Sequence, residues 1–222
     1  MGLLDFIKTQ PKPAGSRFAF ADGSTYSPEE YGYLAVRVGS QSAVAQTNAC
    51  FGEGTIGATL GLAEAIRGVR FAADIYTTML EVAVYMWYAA SILKVKGDVM
   101  ARITKGARDG LSELIAPNGR RLDTDLKEAL IQQAYAFVIA IEKDVEIGST
   151  RDPTVIQTQS LPSTALLLDI LLRGNSEDAS VVNRWRTELS TSTGLWLQDT
   201  IESSTLASMQ TLYKGLRVRF EQ

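Results

Sequence analysis

The chain contains no histidine, so any chemistry it performs must come from its 25 aspartates and glutamates, its lysines and arginines, its hydroxyls or its one thiol. Without imidazole there is no Ser-His-Asp or Cys-His catalysis, no histidine-ligated zinc and no Glu-x-x-His di-iron site of the kind helical bundles carry. A histidine pH switch is excluded as well. The lone Cys50 sits between Ala49 and Phe51, which predicts a buried, inert thiol rather than a nucleophile. Carboxylates alone can hold magnesium. The densest group, Glu142, Asp144 and Glu146, occupies alternate positions of a predicted helix and so spreads over different faces. Glu113, Asp123 and Asp125 straddle a turn and read as caps. No pair forms an acid/base couple, so no catalytic, metal or cofactor site is expected.

Two further patterns touch on ligands. Gly52-x-Gly54-x-x-Gly57 satisfies the dinucleotide-binding pattern, with Asp74 near the expected acidic offset. That pattern needs a preceding strand and a parallel sheet. Here SAVAQTNACF closes a helix instead, so the match reads as chance, although backbone N–H groups near Thr55 could hold an anion. Lys94, Lys96, Arg102, Lys105 and Arg108 form a basic stretch, followed by Arg120 and Arg121 and diluted by Asp98 and Asp109. With a net charge of −3 and no interleaved aromatic platform, it reads as a solvated helical face and not as a specific nucleic-acid site.

The strongest spacing signal concerns packing. Gly57, Gly61, Ala65, Gly68 and Ala72 follow steps of four, four, three and four, so all five share one helical face. A helical glycine costs about 1 kcal/mol relative to alanine, and close approach of a second helix is the usual compensation. The partner helix belongs either to the same chain or to a neighbouring copy. Next comes VAVYMWYAASIL (82–93), a run of twelve residues where a membrane span needs about 20. Extending it brings in Glu81 and Asp74, so a helix buried on every side is the expectation; lipid contact over 72–95 is less favoured.

The elements that position these residues are mostly helical. PKPAGS (11–16) is a linker, and Phe18 and Phe20 followed by Asp22-Gly23 signal a β-hairpin. Ser27-Pro28-Glu29-Glu30 opens a helix with a capping box, running to about Asn48. From Thr55 the helical pattern continues towards Ala116, broken near Gly97 and stopped by Pro117-Asn118-Gly119. Asp123 or Thr124 caps a helix ending at Gly148, with Leu126, Leu130, Ala134, Phe137, Ile141 and Val145 at helical spacing. After a loop over 148–161 come a short helix at 163–172, one carrying Val181, Trp185 and Leu189, and, past a joint at 190–194, a last helix with Ile201, Met209, Leu212 and Leu216.

The N-terminal segment MGLLDFIKTQPKP lacks the features of a signal peptide, and Phe6 stands where a myristoylation signal wants Ser or Thr. Leu3, Leu4, Phe6 and Ile7 form an apolar arm suited to docking on the domain or a second copy. The expectation is therefore an all-α, multi-helix bundle around a long central helix, with an N-terminal arm and small hairpin over 1–27 and a helical domain over 28–222. The expected role is a cytoplasmic, non-catalytic subunit of a homo-oligomer or larger assembly. Its partners are other proteins or its own copies. Three alternatives are a membrane-associated component of a multiprotein machine, a carboxylate- or metal-dependent enzyme, and a helical protein with a ligand pocket near Trp87 or Trp185.

Overall fold

A computed structural model describes residues 15–52, 55, 70–115, 119–150, 161–173, 183 and 187–221. The fold is mainly all-α with a small terminal sheet. Strands β1 (Arg17–Ala19) and β2 (Thr25–Tyr26) form the expected hairpin, with Phe18 opposite Tyr26. Gly23 takes φ +84°, a left-handed conformation natural to glycine. The Asp22 carboxylate braces the turn by accepting from the Ser24 amide (2.9 Å) and hydroxyl (2.6 Å). A third strand, β3 (Arg219–Glu221), was not expected; it pairs antiparallel with β1, making β1 the centre of the sheet.

Helix α1 (Pro28–Phe51) begins as its sequence requires. The Ser27 hydroxyl accepts from the Glu30 amide (3.2 Å), and the Glu30 carboxylate accepts from the Ser27 amide (2.7 Å). Helix α2 (Arg70–Trp87) runs on through a π-helical turn (Tyr88–Ile92), and the chain breaks before α3 (Gly97–Leu111), at the predicted place. Helix α3 stops at Leu111, short of Ala116, and residues up to Ile115 continue as turn, with Ile115 bridging to Arg121. Then follow α4 (Thr124–Thr150), α5 (Pro162–Arg173) and α6 (Ser192–Gln210), the last extended by a π-helical turn (Thr211–Gly215). Asp123 caps α4 by accepting from the Leu126 amide at 2.8 Å. Helix α4 runs two residues past Gly148, and α6 starts two before Gly194, its Thr191 hydroxyl accepting from the Gly194 amide.

The core is centred on α2. Residues Val82 to Ala89 are buried around the whole helix, as the run without a polar face demands. The sheet is part of that core: Phe18 is fully buried and stacks on Tyr31 with ring centroids 4.0 Å apart. Along α4, Leu130, Ala134, Phe137 and Ile141 are buried, whereas Leu126 and Val145 at either end reach solvent.

Close helix approach occurs between α1 and α3. A Cβ added at Gly32 would lie 1.9 Å from the Ile103 carbonyl oxygen, and one at Gly106 would lie 1.8 Å from that of Glu29. The two backbones therefore touch, and only hydrogen fits between them. Arg102 clamps the crossing through two bonds to the Glu29 carboxylate, at 2.8 and 2.9 Å. Tyr33 donates to Glu113 on the same seam.

Candidate functional site

The described surface opens where the end of α4, the start of α5 and the outer side of α6 meet. A cavity there encloses about 360 Å³. Val145, Leu161, Leu206 and Met209 give it apolar walls, and Asp144, Asp199 and Glu202 add three carboxylates. Two of the acids explain why α5 starts here. Asp144 accepts from the Ser163 amide (3.1 Å) and Glu202 from the Leu161 amide (2.6 Å), so both sit at the positive end of that helix. Burial raises the Asp144 carboxyl above its ordinary 3.8, and the Ser163 hydrogen bonds oppose that rise. Asp199 is exposed.

Apolar side chains extend this site along α6. Trp196 is 72% exposed, Leu206 53% and Tyr213 62%. Trp196, Asp199, Ser203, Leu206 and Gln210 recur every three or four residues and share one outward side, with Tyr213 a turn further on. Leu197, Ile201 and Leu212 are the side chains that α6 buries. The helix thus has one packed apolar side and one open side, where Trp196, Leu206 and Tyr213 stand exposed among Asp199, Ser203 and Gln210.

Of the residues singled out from sequence, Gly57, Gly61, Ala65 and Gly68 lie outside the described residues, and Ala72 falls in the first turn of α2. Leu3, Leu4, Phe6, Ile7 and Trp185 also lie outside them. The basic stretch is divided. Arg102 is paired with Glu29 and Arg108 with Glu128, while Lys94, Lys96 and Lys105 are exposed and show no ion pair among the described residues. Cys50 is buried, and burial pushes its thiol up to about 11, far from the range of a reactive thiolate. Gly52 caps the C-terminus of α1 with extended backbone, so helix and not strand precedes the glycine pattern.

Glu142, Asp144 and Glu146 diverge as their spacing requires. Glu142 accepts from the Trp87 indole (2.6 Å) and the Ser91 hydroxyl (2.7 Å), whereas Asp144 turns to α5. Trp87 is buried, and the cavity lies against Asp144 and α6 rather than around it. Among the described residues no three acids or thiols are grouped to hold a metal ion. Among them, too, no helix is long and apolar enough to cross a membrane.

Sequence reasoning missed Glu81. It is 2% exposed on α2, its Cβ only 3.1 Å from where a Gly39 Cβ would stand on α1, and it is hydrogen-bonded to Ser208 of α6. Burial pushes its carboxyl up to about 7, with the Ser208 bond pulling the other way. A signal existed in the polar row Asp74, Thr77, Thr78 and Glu81, spaced along one side of an otherwise apolar helix. Compared with known protein families, curated proteins and solved structures, the chain matches none.

Proposed function

We propose that this protein is a non-catalytic helical subunit of an assembly, binding further copies of itself or other proteins. The observation that carries this reading is the open side of α6, where Trp196, Leu206 and Tyr213 stand in solvent and Leu206 also lines an apolar-walled cavity. Tryptophan and tyrosine are enriched at protein interfaces and dominate their energetics, because each buries a large area at small entropic cost. Removing such apolar area from water yields about 25 cal/mol per Å². The carboxylates support the same reading. Asp144 and Glu202 start α5, Glu29 and Glu128 hold arginines, and Glu142 anchors Trp87. Each has a structural task.

The test is mass in solution. Sedimentation and light scattering on the purified chain, across a concentration series, are expected to give a mass above the monomer's 24.2 kDa. A parallel series in detergent separates protein contacts from lipid contacts, since only an apolar band meeting lipid would require detergent for dispersal. A monomer at every concentration in plain buffer would remove self-assembly.

A further inference from the structure

The open side of α6 has a regular spacing as well as an apolar content. Trp196, Ser203 and Gln210 stand seven residues apart, and so do Asp199, Leu206 and Tyr213; all are exposed. Alternating steps of three and four are the spacing by which one helix lies along another. From Trp196 to Tyr213 the stripe is about 25 Å long, at 1.5 Å per residue. Asp199 is its one charge.

That charge decides how a second copy of the stripe can lie on the first. A parallel two-fold pairing sets Asp199 against Asp199, and like charges in contact repel. An antiparallel pairing, with its two-fold axis level with Ser204 and Thr205, sets Trp196 against Tyr213 of the second copy, Asp199 against its Gln210 and Ser203 against its Leu206. Symmetry makes each of these meetings twice. Every layer is then complementary. The indole and the phenol ring form an aromatic pair, the glutamine amide donates to the carboxylate, and the small serine leaves room for the leucine. A shift of seven residues either way would leave Tyr213 or Trp196 unopposed. Ser203 also lines the cavity, so the second copy's Leu206 comes to rest at its mouth.

We infer that α6 packs antiparallel on α6 of a second copy of this chain, giving a two-fold dimer. The inference rests on the assembly reading above and specifies its contact. Trp196, Leu206 and Tyr213 are 72%, 53% and 62% exposed. At about 150–250 Å² for a large side chain, they offer roughly 400 Å² per copy. Doubled, and joined by the polar positions between them, that area is at the low end of specific interfaces. The dimer is therefore a reversible one, dissociating in about the micromolar range.

Sedimentation of three variants across a concentration series tests this: Trp196→Ala, Gln210→Glu, and Gln210→Glu combined with Asp199→Lys. All three positions are exposed, so each variant should keep the circular dichroism and melting of the parent. Trp196→Ala should dimerise at least about tenfold more weakly than the parent. Gln210→Glu sets carboxylate against carboxylate at two places and should weaken the dimer by about as much. Adding Asp199→Lys turns each of those clashes into an ion pair and should restore association. In a parallel pairing the same double variant would set lysine against lysine and glutamate against glutamate, and association would fall further. Absence of rescue therefore overturns the antiparallel register. If the parent associates and neither Trp196→Ala nor Gln210→Glu weakens it, this inference is overturned while the assembly reading stands. If removing residues 1–14 abolishes association and the α6 variants do not weaken it, the N-terminal arm makes the contact and the inference is wrong. A parent that stays monomeric at every concentration removes self-assembly, and this dimer with it.

Discussion

Glu81→Gln is expected to stabilise the protein at neutral and alkaline pH and to leave it nearly unchanged in acid. The folded chain holds this carboxyl in a buried position where it titrates near 7 instead of 4.5, because burial disfavours its charged form. Folding therefore prefers the protonated acid. Below about pH 4.5 the group is protonated in both folded and unfolded chains and has no effect on stability. Between about 4.5 and 7 the unfolded chain releases the proton first, and the folded state loses ground steadily. Above 7 the loss levels off. At about 1.4 kcal/mol per pH unit across that interval, the total is about 3 kcal/mol. Glutamine keeps the shape and can accept the Ser208 hydrogen bond without ever ionising. Urea unfolding of parent and variant, followed by circular dichroism at pH 4.5 and pH 8, should give a difference between them that is larger at pH 8 by about that amount. All other titrating groups cancel in this comparison. An equal difference at the two pH values would mean that Glu81 is solvated in the folded chain, and the argument from its burial would fail.

Gly106→Ala forces a methyl group against the Glu29 carbonyl oxygen, so it should destabilise by about 1–3 kcal/mol or more despite alanine's better helix propensity. Gly148→Ala, with nothing within 4 Å of the new methyl, should gain up to about 1 kcal/mol in the same urea assay. Ser27→Ala removes the α1 capping box and should cost about 1 kcal/mol, read from the denaturation midpoint. Cys50, buried and with its thiol held near 11, should react with a thiol reagent only at the rate of unfolding; rapid labelling of the native chain would contradict its placement.

Features set by neighbours in sequence were legible. The capping box at Ser27, the Asp22-Gly23 turn and the break before Gly97 each depend on a few adjacent residues. The burial of 82–89 followed from a helix with no polar face. Features that join distant segments were not legible. Three residues of β3 show no period and meet β1 about two hundred positions away in the chain. The close approaches at Gly32 and Gly106 carry the same kind of signal as the ladder from Gly57 to Ala72, but Gly106 stands among Lys105, Arg108 and Asp109, whose charges suggested an exposed face. The face of α6 that bears Trp196, Leu206 and Tyr213 could not be told from the buried one, because apolar residues occur on both. The cavity is made by helices from separate stretches, so only packing reveals it. Glu81 drew notice only as the flank of an apolar run; its burial depends on Gly39 opposite, which leaves room for it.

The pairing of β1 with β3 makes the sheet the least local part of the fold. A lone two-stranded hairpin is marginal in water, and Phe18 needs both Tyr31 and Phe220 against its ring. The second edge of β1 is filled only by residues 219–221, about two hundred positions further along. Closing so long a loop is slow, whereas helices form through contacts between near neighbours. Sealing of the bundle at the sheet therefore trails the helices it covers.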